Sequence, residues 1–247
     1  MELKDFFNEN KSVALGFSGG VDSSYLFYAA AKYGADVKAY FVKTAFQPEF
    51  ELIDAKQIAQ QIGAEITVVK LDILADEKVT SNPANRCYYC KQKIFGAIQA
   101  QAIKDGCELI IDGSNASDDE DDRPGMKAIR ELSVRSPLRE CGLTKADVRE
   151  LSKAAGLFTW DKPAYACLAT RIPTGQEITK DMLTRIELSE DGLFHLGFSD
   201  FRVRVMGDIA KLQVPKDQMY HMLNKHEAVL AALKPYFATV LLDMEGR

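Results

Sequence analysis

Between an apolar run at residues 12–17 and a helical stretch at 24–33 stands Ser18-Gly19-Gly20-Val-Asp22-Ser23. Residue types of this kind can hold phosphate. Two glycines let backbone N–H groups approach a ligand closely, and the helix N-terminus behind them favours negative charge. The Ser18 and Ser23 hydroxyls add donors for phosphate oxygens. Asp22 cannot bind phosphate directly, but it can cap the helix or hold a magnesium ion that bridges phosphates. The bland alternative is a glycine turn ahead of a capped helix. Neither the G-x-x-x-x-G-K-[ST] loop nor the G-x-G-x-x-G fingerprint is matched.

A second group is built on sulfur. Arg86-Cys87-Tyr-Tyr-Cys90-Lys91 places a CxxC immediately ahead of a helix expected at 88–102. Two thiols at this spacing can bind one metal centre, form a redox pair, or do neither. A zinc ribbon needs a second CxxC or paired histidines; Cys107, Cys141, His195, His221 and His226 supply neither. A thioredoxin-like pair is excluded because this CxxC does not follow the first strand of a βαβ unit. Cys167, in Lys162-Pro-Ala-Tyr-Ala-Cys-Leu-Ala-Thr-Arg171, is a candidate third ligand. Three thiolates suit an iron–sulfur cluster with one iron open, or one reactive thiol with two helpers. The residues alone leave a purely structural role for Cys87 and Cys90 equally open.

Charged side chains form two further groups. Asp118 to Asp122 is an unbroken acidic run followed by Arg123-Pro-Gly. Such a run is ordinarily a solvated loop, but here it follows the fourth strand, at the ligand end of a doubly wound sheet. Arg202 and Arg204, at i and i+2 of a strand, point to one face and suit a phosphate group. Exposed arginines on a sheet are the alternative. Arg171 can neutralise the same phosphate, and Glu190 is a weaker candidate. His195 has no expected chemical role.

The segment Ser18–Ser23 resembles the PP-loop signature SGGxDS of ATP pyrophosphatases, which split ATP into AMP and pyrophosphate while adenylylating a substrate. That resemblance implies Phe41 and Val42 near the adenine, and Gly113, in Asp112-Gly-Ser114, closing over the nucleotide. Taken with Cys-Tyr-Tyr-Cys-Lys, Asp-Asp-Arg123-Pro-Gly125, Lys162-Pro-Ala…Cys167…Arg171 and Arg202-Val-Arg204…Asp208-Ile-Ala, nearly the whole chain resembles the LarE family. These are ATP-dependent sulfur transferases that build the nickel-pincer nucleotide cofactor of lactate racemase. The resemblance implies ATP and Mg2+ as cofactors, and a pyridinium-3,5-biscarboxylic acid mononucleotide as the small-molecule substrate. Glu120 and Arg123 become site members, with Arg123 on ATP. In one branch of the family a single cysteine gives up its sulfur; in another, three cysteines hold a [4Fe-4S] cluster. Cys87, Cys90 and Cys167 match the second branch.

The elements that must position these groups follow from periodicity and punctuation. Strands are expected at 12–17, 36–42, 65–71, 108–112 and 134–138, alternating with helices at 24–33, 48–62, 88–102 and 144–155, after a first short helix at 2–10. The alternation predicts an α/β fold, a doubly wound parallel sheet; the resemblance implies one of the adenine nucleotide alpha hydrolase kind. After Trp160 the order becomes α-β-β-α-β: a helix at 179–188, strands at 201–205 and 209–214, a helix at 217–233 and a strand at 237–242. Two domains are therefore expected. Residues 1–160 form the first and 161–247 a smaller α+β domain, with Cys167 at the junction. The resemblance implies the PP-loop role for the first, and substrate binding and sulfur transfer for the second.

Composition sets the outer bounds. With 47% hydrophobic and 27% charged residues, the 247-residue chain is an ordinary globular sequence, not a disordered or fibrous one. The formal charge of −5 argues against a general nucleic-acid or anionic-membrane surface. The five acids from Asp118 to Asp122 account for the whole of that excess. No apolar run approaches the ~20 residues of a membrane span, and no signal peptide is visible. A cytoplasmic homo-oligomer is expected, without disulfides. Rival readings are an amide ligase of the NAD or GMP synthetase kind, a tRNA thiolation enzyme, and a non-catalytic nucleotide sensor with structural zinc. The amide ligase leaves three cysteines unexplained, and the tRNA enzyme calls for a basic surface.

Overall fold

The computed structural model describes residues 1–118 and 124–247. The chain forms two compact units, one from Met1–Ile73 with Asn85–Lys162, the other from Leu74–Ala84 with Pro163–Arg247. The first 73 residues run α1 (Leu3–Glu9), β1 (Ser12–Gly16), α2 (Val21–Lys32), β2 (Asp36–Lys43), α3 (Glu49–Ile62) and β3 (Ile66–Lys70). After α4 (Glu77–Thr80), which belongs to the second unit, come α5 (Arg86–Lys104), β4 (Ile110–Ile111), α6 (Pro124–Glu131), α7 (Pro137–Glu140) and α8 (Lys145–Ala154).

The first unit is an α/β fold around a parallel sheet of order β3-β2-β1-β4. Its pleat sorts the apolar residues into two cores. Val13, Leu15, Ala39 and Phe41 enter one with Phe6, Leu26, Phe27 and Ile58, while Ala14, Tyr40 and Val42 enter the other with Phe95, Ile98 and Ile129. Leu15 of β1 pairs Ala39 of β2 on one side and Ile111 of β4 on the other. The chain leaves β1 toward β2 but returns on its far side as β4, so the strand order reverses beside β1. A crevice at the carboxyl ends of β1 and β4 is the usual ligand position in such sheets.

Two expectations for this unit need correction. The fifth strand expected at 134–138 is a single parallel bridge from Ile111 to Arg135. Pro137 lacks an N–H for the ladder and starts α7 instead. The CxxC does not precede its helix: α5 begins at Arg86, so Cys87 and Cys90 occupy the first turn. By contrast, the helix expected from 144 opens on a capping box, with Thr144 Oγ1 accepting from the Asp147 N–H and the Asp147 carboxylate accepting from the Thr144 N–H.

The second unit holds α9 (Lys180–His195), β5 (Arg202–Met206), β6 (Ile209–Gln213), α10 (Met219–Asn224), α11 (His226–Leu233) and β7 (Thr239–Leu242). Its sheet has order β5-β6-β7, antiparallel then parallel. The single helix expected at 217–233 breaks at Lys225, whose ammonium instead reaches the Leu196 carbonyl at the end of α9 (2.8 Å). Residues 74–84 join this unit through backbone pairing. Ile178 N donates to Thr80 O (2.7 Å) and Gly175 N to Asn82 O (2.8 Å), while the buried Asn82 amide donates to Pro173 O (2.8 Å). Among the described residues, no helix is long and apolar enough to cross a membrane.

Candidate functional site

A cleft of about 350 Å³ opens in the first unit at the carboxyl ends of the strands, lined by Gly16 to Ser18, Gly20, Asp22, Ser23, Tyr40 to Val42 and Asp112 to Ser114. Lys91, Ile94, Phe95 and Ile98 of α5 form another wall. The expected loop residues are thus gathered in one place, with an apolar wall opposite hydroxyls and carboxylates. Such a composition suits a ligand with a flat apolar part and an anionic tail.

Local chemistry explains the loop's shape. Gly19 takes φ +72°, and a Cβ there would lie 3.2 Å from Ala55 Cβ and the Glu51 carbonyl. No larger residue fits that approach without strain. Ser23 Oγ stands 3.1 Å from Ser18 Oγ, accepts from the Ser18 N–H (3.3 Å) and donates to the Gly20 carbonyl (3.2 Å). The helix N-cap is Gly20, with no side-chain capping bond. Asp22 therefore does not cap α2, and of its two expected roles the metal-holding one remains. Its carboxylate accepts from Asn115 Nδ2 (3.3 Å) and pairs with Lys145 Nζ (2.5 Å).

The loop after β4 is locked against this turn. Buried Asp112 accepts from Ser114 N (3.2 Å), Ser114 Oγ (2.7 Å) and Ser136 Oγ (2.7 Å). A Cβ added to Gly113 would lie 2.8 Å from Ser23 N and 3.0 Å from Ser23 Cα. That approach, with backbone on both sides, is what requires glycine here. Gly113→Ala must push the start of α2 away, at a cost of about 1–3 kcal/mol. We expect the ATP dissociation constant measured by calorimetry to rise at least about tenfold, with unchanged binding contrary to this packing.

Phe41 and Val42 both line the cleft, but the pleat separates them: Phe41 is buried in one core, and Val42 faces Phe95 and Ile98 in the other. Tyr40, Lys91 and the α5 residues were not foreseen. Their signal was weak, because a helix wall is assembled by tertiary packing and not by proximity in sequence. Tyr40 donates its hydroxyl to Asp105 (2.8 Å), and burial, with that bond, pushes its pKa up. Lys145 and Asn115 were also missed as partners of the site. Glu120 and Arg123 lie outside the described residues, as does the acidic run beyond Asp118.

The cysteines separate by environment. Cys87 is exposed and Cys90 half-buried; at i and i+3 they share a face of α5. The Arg86 guanidinium lies 3.9 Å from Cys87 Sγ. Cys107 is buried in a core, and burial raises the Cys141 thiol. Cys167, half-buried, starts a turn in the second unit. Among the described residues, no disulfide forms, and no group of three His, Cys, Asp or Glu side chains is placed to hold a metal ion.

The turn bearing Cys167 is held by arginines. Arg171, fully buried, forms a two-pronged pair with Glu190 (Nε 2.9 Å, Nη2 3.0 Å) and donates Nη1 to the carbonyls of Ala166 (2.6 Å) and Cys167 (3.2 Å). Burial opposes its charge, but the bonds to Glu190 outweigh burial and raise its pKa. Arg202 reaches the Ala164 carbonyl (2.6 Å), and Arg204 that of Thr170 (2.8 Å). Both thus share the β5 face that the turn covers, as their spacing predicted. Burial, then repulsion from Arg171 and Arg247, lowers Arg202 to about 10, and Arg204 is lowered for the same reasons. His195 is exposed, against the Asp191 carbonyl (2.9 Å).

Comparison with known proteins places this geometry. A family model described as asparagine synthase matches residues 7–82. An uncharacterised protein of Synechocystis sp. is 37% identical over 99% of this chain and 92% of its own length. The tRNA-specific 2-thiouridylase MnmA of Pseudothermotoga lettingae is 28% identical, covering 67% of this chain and 57% of that enzyme. The pyridinium-3,5-bisthiocarboxylic acid mononucleotide synthase of Lactiplantibacillus plantarum is 32% identical over 99% of this chain and 88% of its own length. With identity of that degree running end to end, on a PP-loop sheet, the chain belongs to the LarE family of ATP-dependent sulfurtransferases.

Proposed function

We propose that the chain adenylylates a carboxylate of pyridinium-3,5-biscarboxylic acid mononucleotide and exchanges the AMP for sulfur, as a step toward a nickel-pincer nucleotide. The cleft supports ATP and Mg2+ as the activating pair. Its glycine turn leaves room for phosphates, its apolar wall suits adenine, and Asp22 offers a carboxylate to the metal. Mg2+ supplies charge neutralisation across the phosphates. A substrate carboxylate oxygen attacks the α-phosphorus, and the bond to pyrophosphate breaks. The acyl-adenylate carbon then takes a sulfur nucleophile and AMP leaves. Sulfide gives the thiocarboxylate directly. The Cys167 thiolate gives a thioester whose Cβ–Sγ bond then breaks by elimination of the α-proton, leaving dehydroalanine and the thiocarboxylate.

Cys167 is the proposed sulfur-bearing residue, because its turn is set by a buried ion pair and ringed by Arg171, Arg202 and Arg204. That concentration of positive charge supports an anionic substrate, with its phosphate assigned to Arg202 and Arg204. Arg171 has its donors on Glu190, Thr170 and backbone carbonyls, so its part is to set the turn. Cys87, Cys90 and Cys167 are assigned to a [4Fe-4S] cluster on the chemistry of three thiols alone, since no three such side chains are gathered among the described residues. Such a cluster would supply sulfide on its open iron. The acidic balance supports a small-molecule partner in place of nucleic acid, and we assign the activity to a cytoplasmic homo-oligomer.

The observation that carries this reading is the loop Ser18–Ser23 seated in a cleft beneath Gly113. Cys167→Ala is the discriminating variant. It is expected to form AMP and pyrophosphate at a rate within about twofold of the parent and to make no thiocarboxylate. Normal sulfur transfer by Cys167→Ala refutes the assignment. Mass spectrometry after one turnover separates the sulfur sources. Loss of the elements of hydrogen sulfide from Cys167 marks sacrifice, and an unchanged chain with broad visible absorbance marks the cluster.

A further inference from the structure

The carboxylate assigned to the metal already carries a cation. Lys145 Nζ lies 2.5 Å from Asp22 Oδ2, while Asn115 Nδ2 donates to Oδ1 at 3.3 Å. Both partners belong to one knot of backbone. The Lys145 N–H donates to Ser117 Oγ (3.0 Å), and the Ser117 N–H to Asn115 Oδ1 (2.8 Å). Lys145 is also the first residue of α8, whose start is fixed by the reciprocal bonds of Thr144 and Asp147. Its base is therefore held firmly, whereas its side chain, with the ammonium on four carbons, is about a third exposed and can turn.

We propose that Lys145 is an exchangeable cation of the nucleotide site, paired with Asp22 before nucleotide binds and transferred to the pyrophosphate oxygens when a divalent ion takes the carboxylate. The inference rests on the ATP reading of the cleft. An uncompensated Asp22 beside the loop would repel a polyanionic nucleotide, and Lys145 cancels that repulsion. A divalent ion on Oδ2 loosens the ammonium's hold, because two cations on one carboxylate oxygen repel each other. Once displaced, the ammonium, placed beside the loop by its pairing with Asp22, would turn to phosphates held at Ser18–Ser23 and offset charge developing on leaving pyrophosphate. No bond is made or broken in the exchange; one ion pair replaces another. A lysine suits it better than an arginine, whose planar fork would hold a carboxylate by two bonds and yield it less readily.

The test reads metal and nucleotide separately. Mn2+ is titrated against the full chain without nucleotide, following the electron paramagnetic resonance of free Mn2+, and the affinity of a non-hydrolysable ATP analogue is measured by calorimetry in a separate experiment. In Lys145→Met, which keeps the stem, and in Lys145→Ala, the freed carboxylate should bind Mn2+ about three- to tenfold more tightly, while the analogue binds about tenfold more weakly. Lys145→Arg should restore analogue binding but not the tight Mn2+ binding. Opposite shifts of this kind are not produced by simple loosening of the fold. Unchanged or weaker Mn2+ binding in both neutral variants overturns the exchange, while wild-type binding of the analogue preserves the ATP reading. A wild-type chain that binds no analogue overturns both.

Discussion

Asp22→Ala is expected to cut AMP and pyrophosphate formation by at least about a thousandfold. Asp22 lines the cleft, stands two residues into α2, and offers its carboxylate where phosphates would gather. Asp112, also on the cleft, is already committed to Ser114 and Ser136, so it is a poor substitute. Asp22→Asn, of nearly the same shape, should lose as much, because the charge is what attracts the cation. The fold should barely notice either change. The ion pair to Lys145 is partly solvated, at 35% and 22% side-chain exposure, so its stability contribution is at most about 1 kcal/mol. Chromatographic quantification of AMP, with thermal melting in parallel, checks both halves. Retention of a tenth of the parent rate in Asp22→Asn would remove Asp22 from the mechanism.

The second large effect is on stability. The Glu190 side chain is 2% exposed and accepts from Arg171 Nε and Nη2, from Tyr165 Oη (2.5 Å) and from Val203 N (2.9 Å). Arg171 in turn stacks on the Tyr165 ring, 4.5 Å from its centroid. Removing the carboxylate leaves a fully buried guanidinium without its counter-charge, a situation that costs about 3–5 kcal/mol. For a chain of this size, Glu190→Ala should lower the melting temperature by on the order of 10 °C. The double variant Arg171→Met with Glu190→Met should melt above either single methionine variant, because an apolar pair can replace a buried ion pair at little cost. Strictly additive losses would show that the pair does not act as a unit. The Cys167 carbonyl hangs from Arg171, so sulfur transfer should fall with the single variants even below their melting range.

These two sites were legible in the sequence to different degrees. Ser18–Ser23 is a local object: its glycines, hydroxyls and carboxylate are neighbours in the chain, and the strand before and helix after are marked by apolar runs. Gly113 was reachable only by resemblance, since its need for glycine arises from Ser23, far away in sequence. Arg202 and Arg204 were correctly placed on one face, because alternation along a strand is a local rule. Their acceptors, the carbonyls of Ala164 and Thr170, belong to a loop that only packing could bring there. Arg171 shows the reverse, since its local sequence suggests an anion ligand while its fully buried fork is taken by Glu190.

What the sequence determined by itself was the alternation of strand and helix, the phosphate-type loop between β1 and α2, and the shared strand face of Arg202 and Arg204. Each depends on periodicity or on residues close in the chain. Only the tertiary structure decided that Lys145 neutralises Asp22, that α5 walls the cleft, that the strand expected at 134–138 yields to Pro137, and that residues 74–84 join the second unit. Those outcomes come from pairings between segments distant in sequence. There a hydrogen bond or an ion pair exists only after the core has closed, and the residue types alone do not name the partner.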